Sequence, residues 1–248
     1  MPRTERRKSA SGFYHVVMRG NGRQNLFEDD ADRRSFLSYL RGDAERFGVR
    51  VLVWCLMSNH IHLLLEDRDD NLSEMMRSLA TSYALRFNRR GGHAGHVFQQ
   101  RFYSNPIEDE AYLLQAMRYI HDNPAESGVC PADEYPWSSY HEYVGTSEYA
   151  DTGLLLEMLG GPERFAEFSA RGWEGAYRLP GRPRVPDAMV GSVAGDVLGA
   201  MPASELKALD RGRRNAFLRR LWEEGLSVRQ IERLTGIGRG TVHAAVRT

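Results

Sequence analysis

At 248 residues, with 33 Lys and Arg against 33 Asp and Glu and 42% hydrophobic residues, the chain has a globular composition, long enough for one good-sized core and an appended small domain. No stretch approaches the ~20 apolar residues of a membrane span, and the basic start Met1–Lys8 leads into no apolar signal-peptide core before Gly12; a cytoplasmic protein is expected, with no membrane partner. Cys55 and Cys130 have neither zinc nor redox spacing, which excludes a cysteine-based metal site.

The zero net charge hides a segregation. Residues 1–125 carry 18 Lys+Arg against 16 Asp+Glu, residues 126–204 carry 5 against 12, and residues 205–248 carry 10 against 5. A basic C-terminal segment tethered through an acidic middle is compatible with nucleic-acid binding, and equally with solvated charged helices.

In chain order, Phe13–Met18 reads as a first strand, followed by the glycine-punctuated turn Arg19–Arg23. From Asp29 to Phe47 the apolar residues Phe36, Leu37, Leu40 and Phe47 recur at helical spacing, and Gly48 ends the helix. Val51–Met57 and His60–Glu66 are short apolar runs joined by Ser58-Asn59, hence antiparallel hairpin neighbours. A second helix is expected over Leu72–Asn88, broken by Gly91-Gly92, a fourth strand over His96–Ile107, and a third helix over Glu108–Asp122, stopped by Asn123-Pro124. The order β-α-β-β-α-β-α with a central hairpin predicts an α+β fold: a ferredoxin-like antiparallel sheet with helices on one face.

Three domains are expected. Residues 1–148 form the sheet domain, and 149–204 a helical extension in which Arg178–Val185 is a Pro/Gly/Arg linker. Residues 205–248 form a small all-α module. Within it Ser227 suits a helix N-cap, Gly236 supplies a turn, and a second helix follows from Arg239, with Ile231, Leu234, Ile237 and Val242 placed to share a core. That is helix-turn-helix spacing, with Glu232 where a small residue usually lets the helices approach.

The candidate chemistry lies at Asn59-His60-Ile61-His62. Side chains alternate along a strand, so His60 and His62 share a face with Cα atoms about 7 Å apart. Such a pair is either a metal-binding face or two strand histidines satisfied by hydrogen bonds. On the third predicted helix Tyr119 and Asn123 lie four apart, Cβ atoms about 6 Å from each other, and offer a phenol and an amide oxygen on one face; His121 points away. Tyr112 is the rival phenol.

The sequences Asn59-His60-Ile61-His62-Leu63 and Arg118-Tyr119-Ile120-His121-Asp122-Asn123-Pro124, with Phe98–Ser104 between them and Trp137-Ser138-Ser139-Tyr140 after them, resemble the REP-associated tyrosine transposases, single-tyrosine HUH transposases. The resemblance covers Gly12 to Gly145 closely and Leu159 to Phe168 more loosely. Glu126 departs from it, since relatives commonly place Arg two residues after that Pro.

The resemblance implies a transposase that cleaves and rejoins single-stranded DNA at hairpin-forming repeats. His60, His62 and Asn123 would hold Mg2+ or Mn2+, and Tyr119 would attack the scissile phosphate to give a 5′-phosphotyrosyl enzyme. A phenol with pKa about 10 needs such help at neutral pH. Arg19, Arg23, Arg77, Gln99 and Arg101 are candidates for contacts to the single strand, and Arg239 for contacts of the helix-turn-helix with a duplex stem. The protein would act as a monomer or a homodimer. Two other readings stay open: a catalytically silent helix-turn-helix regulator, and a metal-dependent nuclease that activates water.

Overall fold

The computed structural model describes residues 7–92, 94–171, 185, 187–199 and 201–247. Strands β1 (Phe13–Arg19), β2 (Arg50–Leu56), β3 (His60–Glu66) and β4 (Tyr103–Ile107) form an antiparallel sheet in the order β2-β3-β1-β4. Helix α1 (Asp30–Phe47) connects β1 to β2, and α2 (Leu72–Gly91) connects β3 to β4. This is the α+β, ferredoxin-like order that the sequence predicts.

Local signals explain the helix limits. Asp29 accepts a bond from the Asp32 amide at 3.0 Å to cap α1, and Gly48 closes it at φ +68°, a left-handed conformation that suits a residue without Cβ.

The strands are apolar on both sides, so the sheet is covered on both. Val16, Trp54, Ile61, Leu63 and Leu65 pack with Phe36, Leu40, Met75, Leu79 and Tyr83 of α1 and α2. Val17, Leu52, Val53, Cys55 and Leu64 pack on the opposite face with Leu113, Met117 and Ile120 of α3 (Glu110–Glu126). Helices on one face therefore describes α1 and α2 alone, and α3 closes the other. A bulge between Val51 and Val53 lets Leu52 and Val53 both serve the α3 side.

Two boundaries differ from the sequence reading. The fourth strand begins at Tyr103, not His96: Phe98 makes one isolated bridge to Gly20, and residues 99–102 then leave the ladder. Pro106 is accommodated because β4 is an edge strand. Helix α3 runs through Asn123-Pro124 to Glu126, because Pro124 stands in the last turn and interrupts little. That extra turn keeps Asn123 helical.

After α3, α4 (Tyr140–Val144), α5 (Gly153–Leu159) and α6 (Pro162–Ala170) bury Tyr143, Leu155 and Phe165 in the α3-side core. The chain divides into compact units at Pro180/Gly181. In the second, α7 (Val190–Leu198), α8 (Arg211–Glu223), α9 (Val228–Thr235) and α10 (Arg239–Arg247) share a core of Val193, Leu218, Leu221, Ile231 and Val242. The stretch 149–204 is thus divided between the units, since the apolar face of α7 completes the small helical core. The expected linker Arg178–Val185 lies outside the described residues except for Val185. Ser227 and Gln230 form a reciprocal capping box on α9, and Gly236 at φ +66° ends it. Among the described residues no helix is long and apolar enough to cross a membrane.

Candidate active site

The register sets the site. Along β3, His60, His62 and Leu64 face α3 while Ile61, Leu63 and Leu65 face α1 and α2. From α3, Tyr119 and Asn123 reach the same place, being four residues apart on one helix face. His60 Nε2 lies 3.0 Å from Asn123 Oδ1, and the Tyr119 ring sits edge-on to His62 with centroids 5.7 Å apart. The rings of His60 and His62 are 5.0 Å apart. His60 and Asn123, 63 positions apart in sequence, meet here because α3 lies across β2 and β3.

His60 is held at both ends. Its Nδ1 lies 2.7 Å from Asn59 Oδ1, and its Nε2 faces the Asn123 oxygen. A neutral imidazole has one N–H to give. When Nδ1–H donates to Asn59, the Nε2 lone pair and an amide oxygen point at one another, and two acceptors at that separation call for a proton or a cation between them. The donor set therefore fits a divalent ion, with His60, Asn123 and the nearby His62 as its protein ligands. Among the described residues no three His, Cys, Asp or Glu are grouped to hold a metal, so an ion here would need the Asn123 amide as its third protein ligand.

The structure also brings in a residue that sequence reasoning missed. His15 of β1 is fully buried, and its Nε2 lies 2.9 Å from His62 Nδ1. Its ring is 5.8 Å from Tyr119, edge-on. The available signal was a lone polar residue within the apolar run of β1.

His121 belongs elsewhere, as its position on α3 requires. It is buried against Tyr143 and Phe165, its Nε2 is 2.9 Å from Ser139 Oγ, and burial pushes its pKa down to about 3, leaving it neutral. Tyr112 is two helical turns before Tyr119, and its backbone N–H donates to the α3 cap Asp109 at 2.8 Å.

The remaining candidates separate into three places. Arg19 pairs across β1 and β3 with His60, beside the constellation, and Arg23 sits at φ +64° in the following turn. Arg77, Gln99 and Arg101 line a different groove of about 1130 Å³ between α2 and the segment 95–104, together with Arg7, Phe98 and Phe102. None of His60, His62, Tyr119 and Asn123 lines it. Arg239 lies in the second unit, where its Nε donates to Glu232 at 2.6 Å.

Residues 8–123, which contain every member of the His–Tyr–Asn constellation, match the family described as IS200-like transposases. An IS200-like transposase domain is a DNA-cleaving, strand-transferring enzyme unit. The chain is also 27% identical over 128 residues to a putative REP-associated tyrosine transposase of Haemophilus influenzae, covering 47% of this chain and 73% of the relative. A solved REP-associated tyrosine transposase bound to a REP hairpin superposes with a TM-score of 0.50 at 18% identity, over 58% of this chain and 86% of that one. That likeness shows the fold. A putative transposase of Deinococcus radiodurans R1 gives a TM-score of 0.35 at 18% identity, over 49% and 97% of the two chains.

Proposed function

We propose that the transposase domain cleaves and rejoins single-stranded DNA beside a hairpin-forming repeat, with Tyr119 as the nucleophile. The observation that carries this reading is the convergence of His60 Nε2 on Asn123 Oδ1 at 3.0 Å with Tyr119 one helical turn away on the same face. The Tyr119 oxygen forms a bond to phosphorus as the bond to the upstream 3′-oxygen breaks. The phenol gives up its proton and the leaving 3′-oxygen gains one, yielding a 3′-hydroxyl and a 5′-phosphotyrosyl chain. A second 3′-hydroxyl reverses the step, so the strand is rejoined without another energy source.

His60, His62 and Asn123 would hold Mg2+ or Mn2+. The ion supplies charge stabilisation at the phosphate and favours the ionised phenol. Burial of Tyr119 between α3 and the histidines holds the ring in one orientation, which lowers the entropic cost of attack.

The groove lined by Arg7, Arg77 and Arg101 together with Phe98 and Phe102 combines cations with aromatic faces. Unpaired nucleotides are bound by that combination, and Gln99 adds a side chain able to read a base edge. In the second unit α9 and α10 form a helix-turn-helix, whose Arg239 would reach a duplex stem once released from Glu232. The similarity to a protein solved with a REP hairpin supports a hairpin as the substrate.

The test is to incubate the full chain with labelled hairpins drawn from the DNA beside its gene, with and without Mn2+, and to resolve products under denaturing conditions. A covalent adduct mapping to the peptide that holds Tyr119 supports the reading. Cleavage without an adduct would assign a water-activating nuclease, and hairpin binding without cleavage a silent regulator.

A further inference from the structure

The contact between His15 and His62 is buried within the fold. His15 is 0% and His62 3% exposed, so bulk water has little access to replace either partner of the 2.9 Å contact between His15 Nε2 and His62 Nδ1. The pairing of β1 with β3 sets Val17 opposite His62 and His15 opposite Leu64, which makes the two imidazoles diagonal neighbours on one face, within reach of long side chains.

We infer that His15 is a positioning residue that fixes the tautomer of His62, accepting the Nδ1–H of His62 on its own Nε2. His62 has two ring nitrogens, and Nδ1 is spent on this contact. A cation on the site must therefore be held through Nε2, and a ring nitrogen binds a cation only through its lone pair. The single proton of neutral His62 then belongs on Nδ1, and His15 has to be the acceptor. The opposite direction, with His15 donating, places the proton of neutral His62 on Nε2 and removes the ligand. Both β3 histidines thus follow one pattern, Nδ1 donating to a neighbouring side chain and Nε2 serving as the ligating nitrogen, with Asn59 accepting from His60 and His15 from His62. This inference rests on the reading of His60, His62 and Asn123 as ligands.

The experiment uses the full chain labelled with 15N-histidine, metal-free, at a pH above the ordinary imidazole range near 6.5. The His62 signals are assigned by their loss in His62→Asn. A protonated Nδ1 and an unprotonated Nε2 on His62 is the expected result, and the reverse overturns the inference. In parallel, Mn2+ affinity is measured by electron paramagnetic resonance, with urea unfolding as the folding control. His15→Leu should weaken Mn2+ binding about 10- to 100-fold, and His15→Gln, whose side-chain oxygen can accept, should restore most of that affinity. If His15→Leu folds and binds Mn2+ as the wild type does while His62→Ala fails to bind it, His15 does not position His62. If Mn2+ binding ignores both His60→Ala and His62→Ala, the ligand reading falls, and the tautomer measured on the unsubstituted chain alone decides the role of His15.

Discussion

Replacing Tyr119 by phenylalanine deletes one oxygen and leaves the ring. The residue is 9% exposed and lies edge-on to His62 and His15 at 5.7 and 5.8 Å, contacts that a phenyl group retains. The hydroxyl contributes net hydrogen bonding of about 0.5–1.5 kcal/mol at most, so unfolding free energy should fall by no more than that. Tyr119→Ala would instead empty a ring-sized volume at about 3–5 kcal/mol, and a fall in activity would then be confounded with damage to the fold. Tyr119→Phe should therefore unfold in urea close to wild type and bind hairpin DNA within about threefold, a change of roughly 0.7 kcal/mol. The covalent adduct and strand cleavage should both vanish. The assay pairs a 3′-labelled hairpin on a denaturing gel with a filter-binding titration. An adduct that survives Tyr119→Phe but not Tyr112→Phe refutes the choice of phenol.

Three further outcomes are expected. His60→Ala, His62→Ala and Asn123→Ala should each weaken Mn2+ binding, the histidines most because imidazole is the stronger ligand; undiminished cleavage by His62→Ala in excess chelator would remove the metal from the scheme. A chain ended at Arg171 should still form the adduct, because α5 and α6 pack in the sheet domain, whereas an end at Ala203 would strip α7 of its partners on α8. Its hairpin affinity should fall more gently with salt, by about one unit of slope for each phosphate it no longer neutralises, and Arg239→Ala should affect stem preference more than Arg219→Ala, since Arg219 Nε donates to the Ala245 carbonyl at 3.3 Å; equal salt slopes for the two chains would make the second unit's charge ordinary surface. Asp151 is held below the usual carboxylate range, first by its bond from Arg50 Nε at 2.8 Å, so its contribution is fully present above the unfolded pKa near 3.9 and fades as pH falls through the lowered value. The pair is half exposed, so Asp151→Asn should cost under about 1 kcal/mol at pH 7 and nothing at the acid limit; an equal cost at both would assign the effect to packing.

Much of the site was legible as spacing. His60 and His62 share a face because strand side chains repeat every two residues, and Tyr119 and Asn123 share one because helix side chains recur at four; these periods are local and need no tertiary knowledge. The N-cap at Ser227 and the turn at Gly236 were likewise written in the chain, as were the order of the first six elements and the antiparallel hairpin at Ser58-Asn59, whereas the reciprocal bond from Gln230 came only with the structure.

What the periods could not supply was which face meets which. β1, β2 and β3 are apolar on both sides, so composition does not say where α3 goes; packing against Val53, Cys55 and Leu64 decided it, and carried Asn123 to His60. His15 became part of the site only through the two-residue offset of β1 against β3, a register that no single strand encodes. Arg77 and Arg101 were grouped with Arg19 as candidate contacts to the single strand, yet α2 and the connection after it put them in a groove apart from the Tyr119 constellation. Charge and period are properties of a residue and its neighbours in the chain, whereas a shared site belongs to contacts between segments, which form only when the core closes.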